Sequence, residues 1–467
     1  MKHNLLTLAL LASLSGCSMI PSYNQPAAPF AASWEQQATA DSTVPEWQQF
    51  FRDDNLQRLI STALEHNRDL RVASLNVEAY RAQYRIERSA LLPSIDASGS
   101  GTHQRVPRKA SSTRQAETTH QYSAAIGMNA WEADFFGRIR SLKDQALQNY
   151  FASAAAQRSA ELSLVANVAI AWFTLQADQQ SLQLAEATLK TYEDSQRLIE
   201  LSHNAGVATA LELQQARTAA DSARVVVAES QRQLAQSRNA LQLVLGAPPP
   251  ELAGGIGMLD ENSLAELPVL LPSELLQRRP DIMQAEYLLK GANANIGAAR
   301  AAFFPSISLT ATAGSLSGEL SDLFSSGTGS WLFQPQIYLP IFNSGRLKAN
   351  LEYSEIQKDI HVARYENAIQ TAFQEVADGL IARSTYTEQL HAQQQLLESS
   401  QEYLNLADRR YREGIDNQLT LLDAQRLNFS AKQQLIHIQF AQLVSEVNLY
   451  KALGGGFPPA VESVAEG

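Results

Sequence analysis

The chain is poor in cysteine, in long uncharged apolar runs and in positive charge, and each shortage removes a class of protein. Cys17 is the single cysteine among 467 residues, so no disulfide can form within the chain. Beyond the first residues no run approaches the roughly 18 to 20 apolar residues of a membrane helix, so any spanning part must be β. The eight histidines include no pair at H-E-x-x-H spacing, and five methionines are too few to line a copper path, so no metal site is indicated. There is no phosphate loop, G-x-S-x-G elbow or nucleotide-binding glycine pattern, and the reading is of a protein that is not an enzyme. The formal net charge of −11 argues against nucleic acid as a partner.

What is present begins at residue 1. Lys2 and His3 precede an apolar stretch, Leu5 to Leu14, too short to span a bilayer permanently. It ends in Leu14-Ser15-Gly16-Cys17, small residues before a lone cysteine. The economical chemistry is removal of residues 1–16 and a thioether from Cys17 to diacylglycerol; a free cysteine in a discarded leader is the alternative. Cleavage would remove only Lys2 from the charge balance, giving −11 − 1 = −12. Ser18 stands where lipoproteins kept at the inner membrane usually carry Asp, so by resemblance to lipoproteins the destination is the outer membrane.

A long internal repeat organises the rest. Leu91-Leu92-Pro93-Ser94-Ile95 recurs as Phe303-Phe304-Pro305-Ser306-Ile307, and Asp69-Leu70 as Asp281-Ile282, both at an offset of 212. Downstream the offset is 208: Gly137-Arg138 matches Gly345-Arg346, Gly206 matches Gly414, and Leu245-Gly246 matches Leu453-Gly454. The expected domains are an acylated arm at 17–53, a first repeat at 54–246, a Pro/Gly-rich joint at 247–271, a second repeat at 272–454 and a loose tail at 455–467.

Each half carries two strand-like stretches, predicted at about 93–103 and 121–131, then 305–314 and 331–341. They alternate with period two: Ile307, Leu309, Ala311 and Ala313 against Ser306, Ser308, Thr310 and Thr312; Tyr122, Ala124, Ile126, Met128 and Ala130 against Ser123, Ala125, Gly127 and Asn129. Phe333, Ile337, Leu339 and Ile341 form a fourth apolar edge. Such stretches match tilted transmembrane strands, although soluble hairpins share the pattern. Four strands cannot close a barrel, and an open edge in lipid leaves unpaired backbone groups at several kcal/mol each. Subunits must combine, and three copies, 3 × 4 = 12 strands, give an open channel.

Long helical hairpins follow, at 138–245 with a tip near 204–210 and at 346–453 with a tip near 412–418. From Arg138 to His203 there is neither proline nor glycine, so 66 residues can form one helix of roughly 100 Å. Leu182, Ala185, Leu189, Tyr192 and Ile199 keep a three-four rhythm; Leu213, Ala220, Val227, Leu234 and Leu241 recur at sevens. By helices alone a soluble coiled-coil bundle fits as well as a tunnel, and the strands favour the tunnel.

The chain resembles the TolC-type outer-membrane factors, in the lipoprotein branch that includes OprM and the NodT-like proteins. The resemblance is carried by the site at Cys17, Arg279-Pro280-Asp281-Ile282 with Glu286, Phe304-Pro305-Ser306, and the turns that begin at Gly206 and Gly414. It implies a mainly α fold with a transmembrane β part: a trimeric 12-stranded barrel continuous with a helical tunnel across the periplasm, meeting a periplasmic adaptor protein docked on an inner-membrane pump. The tips that contact the adaptor would be Gly206, Val207 and Leu211 with Gly414, Ile415 and Leu419. By the same resemblance a gate would use Asp423 as an acidic ring inside the tip, with Tyr411 and Glu212. Asp416 stands where TolC itself has a basic residue, so the latch must differ there. No cofactor is implied beyond the lipid on Cys17. The implied function is an outer-membrane duct of a tripartite efflux system; the alternative is a periplasmic coiled-coil adaptor or scaffold, which should lack the four strands.

Overall fold

A computed structural model of the chain describes residues 18–27, 44–268 and 278–456; residues 1–16, Cys17 and the tail from 457 lie outside the described residues. In order come α1 (Trp47–Phe50), α2 (Asp54–His66), α3 (Arg68–Ser89), β1 (Asp96–Val106), β2 (Glu117–Ala133), α4 (Arg138–Asn204), α5 (Ala210–Leu245), α6 (Pro280–Ala301), β3 (Ser306–Ser317), β4 (Gly329–Tyr338), α7 (Arg346–Arg412) and α8 (Gln418–Ala452). Contacts divide the chain into two units: Met1–Ala27 with Asn76–Ala154 and Gln284–Glu366, and Ala28–Leu75 with Ala155–Met283 and Asn367–Gly467.

The first unit holds one antiparallel sheet in the order β1-β2-β3-β4, so β1 and β4 each leave an edge unpaired among the described residues. β1 starts at Asp96 rather than 93, beyond Pro93, which has no N–H to give a ladder. β4 stops at Tyr338, ahead of Pro340, leaving Leu339 and Ile341 outside it. Cross-strand partners share a face, and here Ile126, Ala313 and Trp331 form one row, Met128, Ala311 and Phe333 the next, and Ile307 with Ile337 another. On this face Trp331, Phe333 and Ile337 are 81%, 59% and 70% exposed in the single chain.

The alternation through Ala130 needs correction. Asn129 and Ala130 together stand opposite Thr310, because Met128 pairs with Ala311 and Trp131 with Leu309. This bulge turns Ala130 to φ +50° and lets its N–H donate to Thr310 Oγ1 at 3.0 Å. The extra residue switches the parity of β2, so Trp131 takes the place on the apolar face that Ala130 would otherwise hold. Close by, a Cβ on Gly127 would strike the carbonyl oxygen of Ala311, and one on Gly314 that of Ala124. Two glycines thus set how tightly β2 lies on β3.

Within the second unit the helical stripes become a core. Phe50 stacks on Tyr450 with centroids 4.3 Å apart, and Trp172, fully buried, donates from Nε1 to Asp53 Oδ2 at 2.8 Å. Truncating such an aromatic costs about 3–5 kcal/mol. Contrary to the expectation that no run beyond the first residues approaches a membrane span, α4 carries an 18-residue stretch apolar enough to cross a membrane. Val165, Val168, Ala169 and Phe173 within it are buried in this core, which accounts for its composition. Towards the hairpin ends Tyr192 packs on Ala219, Ala220 and Ala223, and Ile199 on Leu213 and Ala216, small residues letting helices approach closely. The start of α6 is pinned by Arg279, which binds Asp281 Oδ2 at 2.5 Å, Glu375 Oε2 at 2.6 Å and the Ala452 carbonyl at 3.0 Å.

Candidate functional site

Two five-residue turns end the hairpins, and both solve the same backbone problem. The last carbonyls of a helix lack partners, and a residue in the left-handed region lets the chain turn back on them. Gly206 at φ +76° donates to His203 O at 2.9 Å while Val207 N reaches Ser202 O at 2.9 Å. Gly414 at φ +72° donates to Tyr411 O at 3.0 Å while Ile415 N reaches Arg410 O at 2.9 Å. Added side chains would meet no atom at either glycine, so the φ value alone asks for it. The next helices are then capped by different chemistry. Thr209 and Glu212 form a reciprocal capping box on α5, and Asn417 accepts from Thr420 N on α8.

The hydrophobic residue after such a glycine usually folds back onto the helix. Here it does not: Val207 is 81% and Ile415 58% exposed, and Leu211 and Leu419 are 68% and 55% exposed. Each tip therefore presents two uncovered aliphatic side chains.

The expected gate residues separate into distinct environments. Glu212 is held by its own helix start, accepting from Thr209 N at 2.7 Å, and these bonds keep its carboxyl below the ordinary range. Asp416 is bound by Arg410 through two contacts of 2.6 and 2.9 Å, which hold it below the ordinary range as well. Tyr411 is half-buried beside Ala407, Leu421 and Ala424. Burial, and then the negative charge of Glu212, pushes its hydroxyl up. Asp423 is exposed between buried Leu422 and Ala424 and forms no ion pair among the described residues. The structure thus brings Tyr411 and Glu212 of different hairpins into electrostatic range, occupies Asp416 with a local arginine, and leaves Asp423 exposed with no ion pair among the described residues.

Sequence reasoning missed Arg410, because six residues across a turn is no helical spacing. It also missed the seat of the arm in the first unit. Gly297 accepts Ile20, since a Cβ there would lie 2.6 Å from Ile20 Cγ1 and from Ser141 Oγ. Asn293 donates to Pro21 O at 2.8 Å, Tyr23 reaches Glu286, and Gln25 reaches the Tyr365 hydroxyl at 2.9 Å. Glycine within a helix was the one available signal. Cys17 itself lies outside the described residues.

An apolar-faced sheet with two open edges, joined to paired helices of 67 and about 35 residues, defines a channel subunit that closes only with copies of itself. The profile of the outer membrane efflux proteins matches residues 59–247 and 271–455, and the chain belongs to that family. It is 58% identical to the antibiotic efflux pump outer membrane protein ArpC of Pseudomonas putida, over 98% of this chain and 96% of that one. Identity and coverage are the same, 58%, 98% and 96%, for the toluene efflux pump outer membrane protein TtgC of the same species. The open state of the MtrE outer membrane channel of Neisseria gonorrhoeae superposes with a TM-score of 0.85 at 40% identity, covering 94% of this chain and 98% of that one. The fold is that of the TolC-type trimeric channels, mainly α with a four-stranded transmembrane β part per chain, and the protein is an outer-membrane channel component of an efflux system. The reading as a coiled-coil adaptor or scaffold is set aside, since it has no place for the sheet.

Proposed function

We infer that three copies close a 12-stranded wall in the outer membrane, that the helical hairpins stand in the periplasm, and that their tips are met by a periplasmic adaptor coupled to an inner-membrane pump. The open-edged sheet with its exposed Trp331, Phe333 and Ile337 carries this reading, because only closure among copies satisfies both edges in lipid. Conduction is passive, no residue performs catalysis, and the energy comes from the pump. ArpC and TtgC are equally similar to this chain and are named for antibiotic and for toluene efflux, which supports cargo choice upstream of the channel.

Cys17 carries the lipid in this reading. Ile20 is seated against Ser141, near the start of α4, and Gly297, near the end of α6, both close to the strand-to-helix junctions. This seat of Ile20 near the strand ends supports an anchor at the bilayer surface. Asp423, three times around one aperture, repels itself and attracts cations, and with Tyr411, Glu212 and Asp416 it forms the constriction.

The test is reconstitution of the purified protein in planar bilayers, with the Cys17→Ser form beside it. Trimers that conduct ions, still membrane-embedded without the acyl group, are the expected result. A water-soluble, non-conducting monomer after loss of the acyl group would overturn the reading.

A further inference from the structure

The chain is acidic overall, at −11, yet the hairpin end between β1 and β2 is basic. Residues 105–117 hold Arg105, Arg108, Lys109 and Arg114 against Glu117 alone, 4 − 1 = +3. The matching segment of the second half, 318–328, holds Glu319 and Asp322 with no Lys or Arg, −2. Duplication therefore does not explain the cations.

The segment is ordered so as to display them. Ser111, buried, donates to Glu117 Oε1 at 2.8 Å and contacts Thr113 Oγ1 at 2.7 Å, so the one acid is engaged by a hydroxyl. Arg108 Nε donates to the Arg114 carbonyl at 3.0 Å, across a turn in which Arg114 takes φ +55°. Arg105, Arg108, Lys109 and Arg114 are all exposed, and none forms an ion pair among the described residues.

The strand register shows which way Arg105, at the strand end of the patch, faces. Ala97 pairs with Ile126, Gly101 with Tyr122, His103 with His120 and Arg105 with Thr118, and alternate residues share a side. Arg105, His103, His120 and Tyr122 thus continue the apolar face that carries Ile126 towards the hairpin end. The two imidazoles meet at 2.5 Å between Nδ1 atoms, and the Tyr122 hydroxyl lies 3.3 Å from His103 Nε2, a polar aromatic group at the depth where a barrel's belt meets headgroups.

We propose that this patch, resting on the reading that the helices are periplasmic and the β1–β2 turn is external, binds the phosphorylated sugar headgroups of the glycolipid that forms the outer leaflet. Guanidinium and ammonium groups bind phosphate through charge-assisted hydrogen bonds, and four exposed cations beside a lipid-facing surface match a phosphorylated leaflet in sign and depth. A cation near an anionic membrane surface strengthens binding about fivefold. The occupant is a lipid headgroup; the acidic 318–328 segment of a neighbouring subunit is the competing partner.

The experiment titrates the full-length trimer in detergent with doubly phosphorylated lipid A and with its dephosphorylated form, for the unaltered protein and for Arg105→Gln/Arg108→Gln/Lys109→Gln/Arg114→Gln. The unaltered trimer should prefer the phosphorylated lipid at least about tenfold, an advantage reduced by salt and absent from the variant, with trimers intact in both. An unchanged preference in the variant overturns the proposal. So does a fall in trimer dissociation temperature common to this variant and to Glu319→Gln/Asp322→Asn without any change in lipid preference, which would assign the cations to the neighbouring subunit. Ser112→Cys, probed in intact cells with a membrane-impermeant maleimide, separates the premises. A labelled cysteine with unchanged lipid preference sinks the lipid site alone, whereas a cysteine labelled only after lysis sinks the external placement and the lipid site with it.

Discussion

If the hairpin tips dock a periplasmic adaptor as proposed, replacing Val207 and Ile415 by serine should leave the subunit folded and disconnect it from that adaptor. Val207 is 81% and Ile415 58% exposed, so neither packs on its own hairpin. Their contribution to the turns is through backbone N–H groups, to Ser202 O and Arg410 O, which serine retains. Exposed positions of this kind change folding stability by within about 0.5 kcal/mol. A partner that covers them gains far more. Full burial of a Val or Ile side chain is worth about 1.5–3 kcal/mol, which the existing exposure scales to about 1–2 kcal/mol each. The pair then supplies about 2–4 kcal/mol per subunit, or roughly 30- to 900-fold in affinity. Calorimetric titration of the purified trimer with a periplasmic adaptor reads this directly. Binding by the serine pair within about threefold of the unaltered protein, with trimers intact, would refute the assignment of these tips as the docking surface.

Three further outcomes follow from particular contacts. Gly127→Val should abolish folded trimers in outer-membrane fractions, because its Cβ meets the Ala311 carbonyl, whereas Gly99→Ala, with Ser123 O 3.9 Å away, should assemble normally. Gly297→Leu should unseat Ile20 and expose residues 18–27 to protease while the trimer persists on native gels. Because Arg410 holds the Asp416 carboxyl below its ordinary value, their pair contributes above about pH 4 and is lost as pH falls through the depressed value. Amide exchange at 410–417 should therefore be faster in Arg410→Gln than in the unaltered protein at pH 6, and the difference should vanish under strong acid; a constant difference would contradict the pairing.

How much was legible in the sequence depends on whether the cause is local. The 67-residue helix α4 follows from a run free of proline and glycine, and both tips follow from a glycine with a capping residue three positions on. The second long helix needed more, because Gly379 interrupts it at a cost of about 1 kcal/mol relative to alanine. That glycine is there for Leu449, whose Cδ1 would lie 2.9 Å from an added Cβ, a contact across 70 positions that no periodicity shows. The strand pattern was readable up to Met128 and failed at Ala130, where a bulge needs only a partner strand to place it. The arm's seat pairs Ile20 with Gly297, again a long-range contact. Cys17 and its lipid rest on sequence chemistry alone, and the gate residues on resemblance.

Comparison of the two tips leads to a last prediction. Both acids near the turns are already committed within their own hairpins. Glu212 is bound by the amide and hydroxyl of Thr209, and Asp416 by Arg410, so each acid is clasped within its own turn. The hairpins pack together near this level where Leu422 clusters with Tyr192, Ala219, Ala220 and Ala223, and closer to the tips Tyr411, half-buried against Leu421 and Ala424 of its own hairpin, feels the charge of Glu212 across the gap. If the constriction widens by parting the hairpins, Tyr411 and Glu212 lose one another while the Arg410–Asp416 pair stays intact. A double-mutant cycle on single-channel conductance separates these cases: Tyr411→Phe and Glu212→Gln should be non-additive, whereas Asp416→Asn should add independently to either. Additivity of Tyr411→Phe with Glu212→Gln would show that the opening runs through some other contact.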